Sequence, residues 1–143
     1  MKKEVLFSSR SEEWETPQDF FNELDREFHF TLDAAATPEN AKCEQFYTKA
    51  DNSLEKNWGG VVWCNPPYGK DICKWVKKAY ESSLEGATVV MLIHARTDTK
   101  WFHEWVYHKA EIRFVRGRIK FGGSANNAPF PSMIAIYRKQ EEV

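Results

Sequence analysis

Asn65-Pro66-Pro67-Tyr68 is the stretch of this chain whose residue types, in this spacing, point most directly to chemistry. The carboxamide oxygen of Asn65 and the backbone carbonyl of Pro66 are two acceptors held close together. A primary amino group has two N–H donors to offer such a pair. Tyr68 adds a flat face on which a planar ring can stack, with a hydroxyl at its edge. Both prolines fix φ and remove backbone donors, and Pro66 restricts Asn65 to an extended shape. The segment is therefore rigid and donor-poor. It follows the apolar run Val61-Val62-Trp63-Cys64, which reads as a buried strand. In open α/β sheets ligands bind outside the carboxyl ends of the strands. The plain structural alternative is a Pro-rich turn ending on a core tyrosine.

The elements around this segment follow from pattern. Thr16-Pro17-Gln18-Asp19 reads as a helix start, with Thr16 as N-cap, Pro17 in the first position and Asp19 at the capping-box position. Phe20, Phe21, Leu24 and Phe28 then share one helical face. His29 to Asp33 reads as a strand. Ala34-Ala35-Ala36 follows, small residues beside which a ligand can approach the backbone; for Asp33 a turn or cap carboxylate is the alternative. Thr37 to Asn57 is irregular, with a short strand expected at Phe46-Tyr47 and Asp51 in a turn. Ile72, Trp75, Val76, Ala79 and Tyr80 have helical spacing, ended by Gly86. Residues 87–93 are a second buried strand. Asp98 is placed to cap a helix whose inner face carries Trp101, Phe102, Trp105 and Val106, with the tryptophans read as core. Segments 111–115, 118–121 and 132–137 read as strands. The Gly/Pro-rich stretch 122–131 between the last two is long enough to be a functional or mobile loop. This alternation predicts an α/β fold in a single domain over 14–138, with a mainly parallel sheet and a C-terminal antiparallel hairpin. A loose arm over 1–13 and a solvated tail over 139–143 flank it.

Composition narrows the class. Hydrophobic residues make up 42% of the 143 and aromatic residues 15%, which excludes a disordered chain. No apolar run approaches a membrane span. Three cysteines without metal-type spacing predict reduced thiols in a cytoplasmic protein, and no residue cluster calls for a metal. The net charge of −1 hides an asymmetry: residues 1–60 carry 7 Lys/Arg against 13 Asp/Glu, and residues 61–143 carry 13 against 8. Arg96, Lys100, Arg116 and Arg118 belong to a basic stretch running from His94 to Lys120, the kind of local face that meets phosphates.

Five segments carry a wider resemblance: Trp14-Glu15-Thr16-Pro17, Leu32-Asp33-Ala34-Ala35, Trp63 to Gly69, Ala95 to Phe102 and Ala128 to Met133. Together, and in this order, they resemble the small phage-type DNA N6-adenine methyltransferase family, over about Trp14 to Tyr137. The resemblance implies a trimmed Rossmann-like methyltransferase fold and methyl transfer from S-adenosylmethionine to the N6 amino group of adenine in double-stranded DNA. It implies a catalytic role for Asn65, Pro66, Pro67 and Tyr68. It implies a cofactor pocket bordered by Trp14, Thr16, Pro17, Asp33, Ala34, Ala35, Asp51 and Asn65. Phe130 becomes a second wall for the target base, beside the phosphate-contacting Arg96, Lys100, Arg116 and Arg118. The glycine-rich loop common in other methyltransferases is absent here. Two rivals follow: a protein glutamine methyltransferase, whose substrate amide offers the same donors, and a nucleic-acid-binding module without a cofactor pocket. Monomer and homodimer are both open.

Overall fold

The structure, a computed structural model, describes residues 14–122 and 127–140. The arm expected over 1–13, residues 123–126 of the long loop and the last three residues lie outside the described residues. In chain order the elements are α1 (Gln18–Phe28), β1 (Leu32–Asp33), two 3-10 turns (Lys49–Asp51 and Ser53–Glu55), β2 (Val61–Cys64), α2 (Ile72–Leu84), β3 (Thr88–His94), α3 (Lys100–Trp105), β4 (Glu111–Phe114) and β5 (Ser132–Tyr137).

One mixed sheet holds all five strands, in the order β1-β2-β3-β5-β4. β1 with β2 and β2 with β3 pair parallel, while β5 runs antiparallel to both β3 and β4. The sheet is thus evenly mixed between ladder types, not mainly parallel as expected. The reason lies in the strands' composition. β5 is Ser-Met-Ile-Ala-Ile-Tyr and is buried throughout, so both its faces and both its edges need cover. It inserts beside β3, with Val89 opposite Tyr137 at one end and His94 opposite Ser132 at the other. Glu111-Ile112-Arg113-Phe114 is half exposed and charged, which suits the sheet edge it occupies.

Several local expectations change. Segment 118–121 joins no strand. Ile119 instead accepts a bond from the Ala128 amide at 2.8 Å, and the Gly122 amide donates to the Glu15 carbonyl at 2.8 Å. These bonds tie the long loop to the segment before α1. Pro17, not Thr16, is the N-cap of α1, because the Thr16 hydroxyl is engaged elsewhere. Thr99 replaces Asp98 as the cap of α3, accepting from the Phe102 amide. β1 is only two residues long, since α1 runs to Phe28 and His29 closes it with φ of 58°. Phe46 makes one isolated bridge to Asp33 on the outer edge of β1.

The core fills both faces of the sheet. Phe21 of α1 packs on Trp63 with ring centroids 5.3 Å apart. Ile72, Trp75, Val76 and Ala79 of α2 are buried, as the periodicity predicts. All ends that matter for function converge at one rim: Asp33, Cys64 and His94 close three neighbouring strands that point the same way.

Candidate active site

Asn65 is the first residue beyond β2. Its Nδ2 donates to the Trp14 carbonyl and, at 2.9 Å, to the Thr16 hydroxyl. A backbone carbonyl only accepts, so the edge of the carboxamide facing Trp14 must be the NH2 group. The other edge, Oδ1, is buried and has no hydrogen-bond partner. An unpaired buried acceptor is costly, and native structures rarely keep one without a use. The direction of this acceptor is fixed by the two bonds that the NH2 group donates on the opposite side.

Tyr68 is 4% exposed and donates its hydroxyl to the Leu92 carbonyl at 3.0 Å. Burial pushes its phenol well above the ordinary range, so it stays neutral. The ring lies 4.7 Å from that of His94 and meets Phe130 edge-on at 5.5 Å. Phe130 in turn meets Trp14 edge-on at 5.3 Å. Pro66 is buried and Pro67 half-buried.

Two cavities flank the tetrapeptide. A smaller one of about 530 Å³ is walled by Trp14, Tyr68, Trp101 and Phe130, with His94 and Arg96 as its charged or titratable side chains. A larger one of about 730 Å³ lies along Thr16, Asp33, Ala34, Ala35, Asn65 and Pro67, among other residues. Trp14 lines both. The larger volume is of the size that holds small-molecule ligands. Its lining contains Trp14, Thr16, Asp33, Ala34, Ala35 and Asn65 of the residues expected at a cofactor pocket. Pro17 and Asp51 are not on it. Asp51 is spent on a capping box, accepting from the Thr48 amide at 2.7 Å and hydroxyl at 3.1 Å, while Thr48, Lys49 and Asn52 beside it do line the cavity.

Asp33 organises the rim of the larger cavity. It is 3% exposed, and its two carboxylate oxygens accept the Ala35 amide at 3.2 Å and the Lys42 amide at 2.9 Å. Burial raises its pKa to about 6, with those two amides opposing the shift. The turn-carboxylate alternative and the pocket role therefore coincide in one residue. A glycine-free loop is possible because Ala34 and Ala36 make backbone bonds to Trp63 and Tyr47 and keep their small side chains turned inward.

Of the basic residues, Arg96 is exposed and lines the smaller cavity. Arg116 and Arg118 are exposed, the latter reaching the Ala128 carbonyl at 3.4 Å. Lys100 makes one exposed pair with Glu104 at 3.6 Å. Trp101, read from sequence as core, and His94, read only as the start of a basic stretch, both face the smaller cavity. Their position at and just beyond the carboxyl end of a buried strand was the available signal.

The amino acid sequence matches the family described as DNA N-6-adenine-methyltransferase (Dam) over residues 4–142. The chain belongs to this family. A DNA N-6-adenine-methyltransferase of Escherichia phage T1 is 40% identical over 106 residues, a match covering 71% of this chain and 44% of that relative. One of Haemophilus phage HP1 is 31% identical over 146 residues, covering 96% of this chain and 84% of that relative. Asn65 lines the larger cavity, and Tyr68, three residues on, lines the smaller aromatic one. No helix among the described residues is long and apolar enough to cross a membrane.

Proposed function

We propose that this chain transfers a methyl group from S-adenosylmethionine to the N6 amino group of adenine in double-stranded DNA, on a trimmed Rossmann-like methyltransferase fold. The observation that carries the proposal is the buried, unpartnered Oδ1 of Asn65, a residue on the lining of the larger cavity. Membership of the Dam family supports this substrate over protein glutamine. The larger cavity supports a catalytic chain over a binding module without a cofactor pocket.

The residues divide the work. Exocyclic N6 is a weak nucleophile because its lone pair is delocalised into the ring. Asn65 Oδ1 accepts one of its hydrogens, and the Pro66 carbonyl accepts the other. Both bonds favour a more pyramidal nitrogen with its lone pair free to attack. Thr16 and the Trp14 carbonyl keep the Asn65 amide from turning, so this acceptor is in place before the substrate arrives. Trp14, Tyr68, Trp101 and Phe130 receive a base turned out of the helix. The Tyr68–Leu92 bond fixes the ring plane against which that base stacks. S-adenosylmethionine, when bound along Thr16, Asp33, Ala34 and Ala35, supplies an electrophilic methyl group. Its positive charge suits the ionised form of Asp33. The rest is positioning for in-line displacement.

The test is methyl transfer from labelled S-adenosylmethionine to duplex DNA, RNA and protein in parallel. Label recovered as N6-methyladenine in the duplex is the expected result. Label only in protein glutamine, or none anywhere, overturns the proposal.

A further inference from the structure

Three buried side-chain polar atoms lack a hydrogen-bond partner among the described residues: Asn65 Oδ1, His94 Nδ1 and Ser132 Oγ. The first has its use in the reaction above. The other two belong to cross-strand neighbours, since His94 stands opposite Ser132 in the β3–β5 ladder. Opposite residues in an antiparallel pair project to the same face, so the two unpartnered groups stand side by side. His94 is 8% exposed and what remains open of it faces the smaller cavity. Its ring sits among aromatic ones, 4.7 Å from Tyr68 and 5.6 Å from both Trp101 and Phe130. A polar ring left unsatisfied on an aromatic floor carries a free-energy cost that an apolar residue would avoid. The edge of the ring that is open to the cavity is where a polar atom of a ligand would meet it.

Burial, with Arg96 close by, holds the His94 imidazole below its ordinary pKa range, the carbonyl of its own residue opposing. At neutral pH it is therefore uncharged, with one N–H to give and one lone pair. The groups around it offer it nothing else: the Tyr68 hydroxyl is committed to Leu92, and Arg96 is a donor only. Adenine presents two acceptor nitrogens beside its amino-bearing carbon, N1 on one side and N7 across the ring. Guanine carries a hydrogen on N1, and an apolar floor could not tell the two apart.

Resting on the adenine reading above, we propose that His94 is a base-contacting residue that donates a ring N–H to an acceptor nitrogen of the extruded adenine, N1 or N7; at N1 the contact also selects against guanine, at N7 it does not. The Ser132 hydroxyl stands beside it on the same face, also without a partner.

The experiment is a substrate–enzyme double-mutant cycle. Single-turnover methylation and binding are measured for the wild type, His94→Leu and His94→Gln on duplexes whose target is adenine, 1-deazaadenine or 7-deazaadenine. Folded fraction is measured alongside. Wild-type methylation of the adenine duplex tests the adenine reading by itself. Given that activity, His94→Leu is expected to lose about 10-fold or more in kcat/KM, the order for one hydrogen bond in a site that excludes water. One deaza substrate should show a similar loss with the wild type and little further loss with the variant; which one it is identifies the nitrogen contacted. His94→Gln, which keeps an N–H, should recover part of the loss. Independent, multiplying losses on both deaza substrates overturn the contact, as does wild-type activity in His94→Leu. If neither variant folds, the wild type alone decides: equal binding of all three duplexes overturns it.

Discussion

At the scale of single residues, Asn65 and Asp33 make the sharpest predictions. Asn65→Ala removes an acceptor that the fold has already oriented, so kcat should fall on the order of 10²-fold or more, as on losing one preorganised polar group at other reacting centres. Substrate binding should change far less. Single-turnover rates per folded molecule check this, and an unchanged rate rules out the catalytic reading. Asn65→Asp keeps the acceptor but turns a second oxygen toward the Trp14 carbonyl, which can only accept. Partial activity with a lowered Tm is the expected outcome, and full stability would show that the Trp14 contact is unimportant. Asp33 sets a pH dependence. A carboxyl raised from 3.8 to about 6 is worth about 3 kcal/mol in favour of the folded state when protonated. Because the folded-state value is the higher one, this stability is fully present below about 3.8 and is lost as pH rises through about 6. Relative to Asp33→Asn, the wild type should therefore gain stability as pH falls from 7 toward 4. Denaturant unfolding at several pH values measures that difference; a constant difference sinks the argument. The same titration should weaken cofactor binding on acidification, since a positively charged ligand favours the ionised carboxylate.

At the scale of elements, the question is what holds the Tyr68 ring in place. Tyr68 reaches across from the segment after β2 to the Leu92 carbonyl in β3, so its hydroxyl locks the tetrapeptide onto the sheet. Tyr68→Phe leaves a buried carbonyl with one fewer partner, a cost of about 1–3 kcal/mol, while the stacking face remains. Tyr68→Ala removes the face as well and should cost about 3–5 kcal/mol by opening a cavity. The rate per folded molecule should stay within a few-fold for Phe and collapse for Ala; equal rates for the two variants would show that the face is not used. This also separates what was legible in the sequence from what was not. The strand before Asn65 and the helix 72–84 were readable, because continuous apolar runs and i, i+3, i+4 spacing reflect burial that local pattern records. Residue type and the prolines singled out Asn65 as a candidate acceptor, and the fold leaves its Oδ1 buried and unpartnered. The reversed insertion of β5 was not, because apolar runs announce a buried strand without giving its direction or its neighbour. Thr16 misled for a related reason. Its type suits an N-cap, but a long-range donor, the Asn65 amide, claims its hydroxyl. The resemblance offered both Asp33 and, more loosely, Asp51; both accept local backbone amides, and only Asp33 lies on the cavity lining. His94 was passed over because the role proposed for it rests on a buried Nδ1 without a partner, a property that no spacing encodes.

At the scale of the whole molecule, charge decides how a chain of net charge −1 meets a polyanion. The acidic excess lies in the first 60 residues and the basic excess in the rest. Several of the cations, however, are engaged. Arg113 forms a two-bond pair with Glu27 at 2.7 and 2.8 Å and also contacts Glu111 at 3.1 Å. Both carboxyls are held below their usual range, with the Arg113 bond first among the causes at Glu27 and the Arg138 bond first at Glu111. Arg113 therefore joins the edge strand to α1 and adds little to a phosphate-binding face. Arg96 differs: it is exposed and lines the smaller cavity, the one proposed to receive the base. Arg116 and Arg118 are exposed in the segment leading to the loop that carries Phe130, and the Lys100–Glu104 pair is too exposed to compete strongly with phosphate. Binding to duplex DNA should weaken steeply with salt, and removing Arg96 or Arg116 should each flatten the log–log slope by about 0.9. Arg113→Ala is the informative control. It should lower stability and leave that slope unchanged, because its charge is already neutralised by two carboxylates. Fluorescence anisotropy across a salt series, on protein verified as folded, reads all three variants together. A salt-independent affinity would remove DNA from the basic face altogether, and an Arg113→Ala slope as flat as that of Arg116→Ala would mean that phosphate outcompetes Glu27 and that the face extends to the edge of the sheet.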